Sequence, residues 1–235
     1  MDWTGDGLGV TILYSAAGIG TTVLVSSDDG DVLVDVGDGA IRDLWNAAYD
    51  YARLIGIVIT HGHFDHIGGI HALLGYLRMI GRAQPLPMAI PRGCDEVIQV
   101  VSAFESIYKD TTPFEIRMHQ LDAGQRMAMG EFDILAHAVS HRGSTKVGGL
   151  EAPVAAHGYR ITYRGQVIAI TGDTGYSDLL LDLTRGADVA LVEATFDSDD
   201  VASEMAELVH LTPSAVAKVG GAAKQYIPYH RKLQR

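Results

Sequence analysis

The segment Thr60-His61-Gly62-His63-Phe64-Asp65-His66 places three histidines and an aspartate within six residues. Neutral imidazole is a preferred nitrogen donor for zinc, and a carboxylate adds an oxygen donor. His61 and His63 point the same way if the backbone stays extended, so one ion can take that pair. A second ion can take Asp65 and His66. A polar loop of hydrogen-bonded histidines is the bland alternative, but four donors packed behind one apolar run weigh against it. Each ion needs further ligands, and these must come from elsewhere in the chain.

Three later positions suit that need. His141 closes the run Ile134-Leu135-Ala136-His137-Ala138-Val139-Ser140-His141. His137 is its rival, but it falls mid-strand, where a core or surface role is the simpler reading. Asp173 lies on the turn Gly172-Asp173-Thr174-Gly175 after the apolar run Ile168 to Thr171. A carboxylate there can bridge two cations, although a plain turn aspartate would read the same way. His230 follows Tyr226-Ile227-Pro228-Tyr229 and is either the last ligand or a surface residue.

The elements that position these groups follow from hydrophobic spacing. Strands are predicted at Val10 to Tyr14, Thr21 to Ser26 and Asp31 to Asp35, with a hairpin turn at Asp28-Asp29-Gly30. Ala40 to Tyr51 has helical spacing. Leu54 to Thr60 is an apolar strand that ends at His61. A helix is predicted over Ile67 to Ile80 and another over Cys94 to Tyr108. Phe114 to Val139 reads as strands, and Gly143 to His157 as a loop. Gly158 to Arg164 and Gln166 to Thr171 read as a hairpin. A helix over Ser177 to Thr184, a strand over Val189 to Val192, a helix over Thr212 to Ala223 and a strand over Tyr226 to Tyr229 complete the chain. Strands run first, and strand-helix alternation follows in two rounds. That order predicts an α/β (α+β) chain in which two mixed sheets form a sandwich with helices outside.

The motif resembles the H-x-H-x-D-H signature of the metallo-β-lactamase superfamily, and the resemblance covers nearly the whole chain. It implies a four-layer αββα sandwich in one hydrolase domain over residues 1–235. It also implies two divalent ions, zinc first, with manganese or iron as alternatives. Asp35 matches the family's first aspartate, which orients metal histidines from behind. His141, Asp173 and His230 match the later ligand positions. Val192-Glu193-Ala194-Thr195-Phe196 is similar to the H-E-A-T-F motif of the ribonuclease Z-like branch, with valine for the first histidine. His210-Leu211-Thr212 is similar to its H-S-T segment, with leucine for serine. The resemblance then makes Glu193 and His210 a proton-donating pair and Asp65 the group that orients the attacking water.

Two features narrow the substrate. Only 32 positions separate His141 from Asp173, which leaves no room for the long tRNA-gripping arm of the family's ribonucleases. The net charge is -11, which disfavours an extended nucleic-acid surface. A small or cyclic phosphodiester is therefore the expected substrate. The competing expectations are another ester (lactone, thioester or sulfate ester), tRNA 3'-processing, and a metal-binding module without turnover. Cys94 is the only cysteine, so no internal disulfide is expected and a cytoplasmic setting is the simplest reading. No apolar run reaches about 18 residues, and the start lacks a signal-peptide pattern, so no membrane partner is expected. A homodimer is what the family resemblance implies.

Overall fold

Short β-branched runs separated by glycine turns build the first half of the chain. The computed structural model describes residues 2–145, 147 and 149–233. Strands β1 (Trp3–Thr4), β2 (Leu8–Ala16), β3 (Gly20–Ser27) and β4 (Gly30–Val34) pair antiparallel in chain order. Helix α1 (Ala40–Asn46) then leads to β5 (Leu54–Val58), which lies parallel to β4. Helices α2 (Phe64–Ile67) and α3 (Ile70–Met79) lead to β6 (Leu86–Pro91), parallel to β5. Helix α4 (Asp95–Tyr108) and strand β7 (Ile116–Leu121) complete a seven-stranded sheet in the order β1 to β7. The parallel strands carry near-continuous apolar runs, as strands covered on both faces require. Leu33, Ile57 and Val58 are fully buried, as are Leu73, Leu77, Val101 and Phe104 on the helices.

The chain divides into two compact units, Met1–Gln120 and Leu121–Arg235. In the second unit, β8 (Arg126–Met129), β9 (Phe132–Ala138), β12 (His157–Tyr163) and β13 (Gln166–Ile170) are joined antiparallel. Helix α5 (Leu179–Thr184) leads to β14 (Val189–Glu193). Helices α6 (Ser203–Leu208) and α7 (Pro213–Gly220) lead to β15 (Tyr226–Tyr229). Both β14 and β15 join in parallel, giving the order β15-β14-β13-β12-β9-β8. Leu180, Leu183, Val192, Leu211 and Val219 pack into its core. Thr212 caps α7 by accepting from Ala215 N–H, and Pro213 fills the first turn, where a missing N–H costs nothing.

Both sheets are mixed, as expected, but local boundaries differ. The stretch expected to be loop after His141 contains a hairpin of β10 (Arg142–Thr145) and β11 (Gly149–Pro153). Its residues are half-exposed or exposed, so no apolar face announced it. The helix expected over Ile67 to Ile80 starts earlier, at Phe64, and is broken at Gly68-Gly69. The helix expected to reach Tyr51 ends at Asn46, where Ala47 and Ala48 turn the chain and Ala48 takes φ of 51°. Helix α6 was not anticipated, because it buries no residue and so shows no apolar stripe. Among the described residues, no helix is long and apolar enough to cross a membrane.

Candidate metal centre

Each unit carries its own group of donors. In the first unit, β5 ends at Val58 and the chain continues through Thr60 and His61 to His63, which precedes the first turn of α2. Asp65 and His66 lie inside that turn. His61 and His66 are fully buried, and Asp65 is nearly so.

The proton inventory behind these rings fixes which nitrogens face inward. Asp35 Oδ1 accepts from Thr60 N–H at 2.7 Å, and Asp35 Oδ2 accepts from the Thr60 hydroxyl at 2.8 Å. Asp35 Oδ2 also lies 2.7 Å from His66 Nδ1, which must donate to it. The single hydroxyl proton of Thr60 is thus committed to Asp35. His61 Nδ1, 3.1 Å from Thr60 Oγ1, is therefore the donor in that contact. Both His61 and His66 are held with lone pairs on Nε2, the form that binds metal. His61 Nε2 faces His63 Nδ1 at 3.1 Å, a separation that either a shared proton or a shared cation can satisfy. Asp65 Oδ2 accepts from Gly18 N–H at 2.7 Å and lies 4.0 Å from His66 Nε2. Asp35 takes φ of 60°, and the chain behind it is tied down by Val36 N–H donating to His66 O at 2.7 Å. Gly37 is required there: a Cβ would sit 2.4 Å from Asp65 O.

In the second unit the donors arrive from four segments. His141 follows β9, and its Nδ1 donates to Val209 O at 2.9 Å, leaving the lone pair on Nε2. That Nε2 is 3.9 Å from Asp173 Oδ2. Asp173 sits on the turn after β13, with Oδ1 3.2 Å from His230 Nδ1 and Oδ2 3.9 Å from His210 Nδ1. His230 follows β15 and takes φ of 55°. The Thr195 hydroxyl donates to His230 O at 2.9 Å and lies 3.0 Å from His230 Nδ1. Asp173, His210 and His230 each offer an atom within 4.8 Å of the others. The donor sets in both units are rich in oriented nitrogen and carboxylate groups, and they fit divalent metal ions.

Glu193, the last residue of β14, is fully buried. Its Oε1 accepts from His210 Nδ1 at 2.9 Å and from Leu211 N–H at 3.1 Å, and Oε2 accepts from Thr195 N–H at 2.9 Å. Thr174 N–H also donates to Oε1 at 3.3 Å, so one carboxylate ties three loops together. Burial alone pulls the His210 pKa down, but the charge and hydrogen bond of Glu193, helped by Asp173, outweigh it and the net shift is upward. The Phe196 ring meets the His210 ring edge-on at 5.7 Å.

His137 lies in β9 across from Gly158, with its Nε2 buried and unpartnered among the described residues. Burial pushes the Cys94 thiol up to about 12, so it is no nucleophile. Thr60, Thr195, the Gly18 N–H and the Val209 carbonyl went unanticipated. Thr60 and Thr195 adjoin motif residues and could have been suspected. The two backbone groups carry no side-chain signal.

Comparison with known proteins shows the family and the fold. Residues 31–230 match a family model described as a beta-lactamase superfamily domain. The chain is 28% identical over 241 residues to ribonuclease Z of Bradyrhizobium sp. (strain ORS 278), covering 85% of this chain and 79% of the relative. It is similar to the short form of human tRNase Z, with a TM-score of 0.75 and 22% identity over 95% of this chain and 92% of the other. It is also similar to the metallo-beta-lactamase fold protein YhfI from Bacillus subtilis, with a TM-score of 0.74 and 21% identity over 96% and 86%. These structural likenesses establish the metallo-β-lactamase fold.

Proposed function

We propose that this chain, which belongs to the beta-lactamase superfamily, is a dinuclear metal-dependent hydrolase of a small or cyclic phosphodiester. In this reading the metal-holding residues are His61, His63, Asp65 and His66 in the first unit, and His141, Asp173 and His230 in the second. Zinc is the first choice for so many nitrogen donors, with manganese and iron as alternatives. Ions bound there supply charge neutralisation and make water nucleophilic near neutral pH.

The residues of the chain do the rest. Asp65, anchored by Gly18 N–H, orients the attacking water. Glu193 holds His210 Nδ1–H and raises the fraction of His210 that is protonated. The opposite nitrogen, Nε2, then gives its proton to the departing oxygen, a step worth about 10²–10⁴-fold in rate. The observation that carries this reading is the hydrogen-bonded pair of buried Glu193 and half-buried His210 beside Asp173. An alkoxide leaving group needs such an acid, and a metal-binding module without turnover does not.

A tRNA 3'-processing reading draws support from the relatives named ribonuclease Z and tRNase Z. The net charge of -11 and the short stretch between His141 and Asp173 favour the smaller substrate. The test is metal analysis of the purified protein with a screen of bis-p-nitrophenyl phosphate, cyclic nucleotides, a tRNA precursor, lactones and sulfate esters. Two bound ions and turnover of the phosphodiesters are expected. Absence of both metal and turnover rejects the proposal, and selective cleavage of the tRNA precursor replaces the substrate.

A further inference from the structure

The turn Tyr51–Arg53 leads into the start of β5, the end of that strand away from His61. Beside it lies a cavity of about 440 Å³, lined by Trp45, Ala48, Tyr49, Tyr51 and Tyr76 and by no donor of the metal centre. Four aromatic rings thus converge in a chain with only two tryptophans and ten tyrosines. The backbone brings them together. Helix α1 ends on two bonds, Ala48 N–H to Trp45 O and Tyr49 N–H to Leu44 O, both at 3.0 Å. Ala48 takes φ of 51° there, a left-handed step that is ordinarily glycine's. The chain then delivers Tyr49 and Tyr51 in quick succession. Tyr51 meets Tyr49 edge-on at 5.3 Å, and it meets Tyr76 of α3 at 4.8 Å with the planes 53° apart. These rings stand as walls, not as a stack. Trp45 is 68% exposed and packs on no other ring among the described residues, which leaves its indole open. Aromatic faces are negative, so rings set at steep angles attract a small cation from several sides. The protein supplies no such cation itself. Among the described residues, no charged side chain lines the cavity, and no Lys or Arg lies over these four rings. Arg53 is bound to Asp31 at 3.0 Å, and Arg82 to the carbonyls of Leu54, Gln84 and Pro85. Burial and then Asp31 push the Tyr49 hydroxyl pKa up, Arg53 partly opposes this, and Asp50 adds to the rise. That ring therefore stays neutral, with two carboxylates acting on it.

We infer that this cavity binds a small quaternary ammonium ion, its methylated head held against Trp45 and the tyrosine rings. The hydroxyls of Tyr49 and Tyr51 are buried, so ring carbons form those walls. A primary ammonium would lose hydration to such walls and find no acceptors for its N–H groups. A quaternary head has no N–H to satisfy. An anion is disfavoured by the ring faces and by the net charge of -11. The site stands apart from the hydrolase reading and does not depend on it.

Calorimetric titration of the purified protein with choline and with dimethylbutanol, its neutral carbon isostere, tests this without turnover. The two share a shape, and only choline carries the charge. Choline is expected to bind at least about tenfold more tightly, because several rings act on one cation. Trp45→Leu keeps an apolar side chain and removes the ring at an exposed position, so its folding is not at stake. It should weaken choline by about fivefold or more and leave dimethylbutanol nearly unchanged. Trp45→Phe, which keeps a weaker ring, should fall between wild type and Trp45→Leu. Choline binding no tighter than dimethylbutanol, or choline affinity retained in Trp45→Leu, overturns the site. An apparent choline affinity that falls as protein concentration rises also overturns it, because a second copy of the chain would then cover these rings.

Discussion

The two donor groups are built in opposite ways. In the first unit, four donors lie within six residues at the end of one strand, and a single side chain, Asp35, orders the protons behind them. In the second unit, His141, Asp173, His210 and His230 come from separate segments, and different groups support them: Val209 O behind His141, the Glu193 carboxylate behind His210 and Thr195 beside His230. A local group is preformed once β5 and its following turn exist. A dispersed group exists only when the register β13-β14-β15 is correct. The first should therefore fail at one residue, and the second should fail gradually, through many.

The largest effect is expected where the second group does chemistry. His210→Ala removes the acid but leaves Asp173 and His230 in place. Hydrolysis of alkyl esters, whose leaving groups need a proton, should slow by about 10²–10⁴-fold. p-Nitrophenyl esters should slow far less, because p-nitrophenolate leaves unaided. A series of leaving groups measures this, and equal loss across the series would remove the acid role. Asp35→Ala comes next and tests the concentrated design. It strands the His66 Nδ1–H and both Thr60 donors in a site that is 1% exposed. A loss of roughly 3–5 kcal/mol is expected in chemical denaturation, together with metal affinity. The matching change in the second unit, Thr195→Val, removes one hydroxyl from one of several supports. Its cost should be about 1–2 kcal/mol, with metal content kept. A Thr195→Val loss equal to that of Asp35→Ala would erase the proposed difference.

The same contrast explains what could be read from the sequence. The first group was legible because its donors are contiguous and follow an apolar strand. His141, Asp173 and His230 were reachable only as residues at predicted strand ends, and through family resemblance. Most strands of both sheets were visible because burial imposes apolar runs on them, but the short β1 and the proline-bounded β6 were not predicted as strands. The β10–β11 hairpin and α6 were not, because neither buries a continuous apolar face. The break at Gly68-Gly69 was marked by its glycines, yet the apolar spacing of Ile67, Ile70 and Leu74 ran across it. Backbone partners such as Val209 O could not be read at all, since any residue supplies the same group.

The smallest expected effect lies away from both groups, at His157 on β12. Its Nδ1 is buried and without a partner among the described residues, and its ring meets Tyr159 edge-on. Burial holds its pKa down at about 4, against an ordinary 6.5, and the neighbouring Asp122 only partly opposes this. The folded state thus favours neutral His157, and the unfolded chain binds more protons between those values. Stability from this residue is complete above pH 6.5 and is lost as pH falls from 6.5 towards 4. His157→Phe keeps a ring of similar shape and abolishes the titration. Urea unfolding at pH 7 and at pH 5 should show a smaller drop for the variant than for the wild type. The rest of the acid sensitivity should persist, because the half-buried His137 is also depressed by burial. An unchanged drop would mean that water reaches His157 Nδ1 and hydrates its charged form. If the drop does shrink, acid lability of the second unit has a source independent of its donor histidines, and metal loss at low pH can be measured in the His157→Phe background without that contribution.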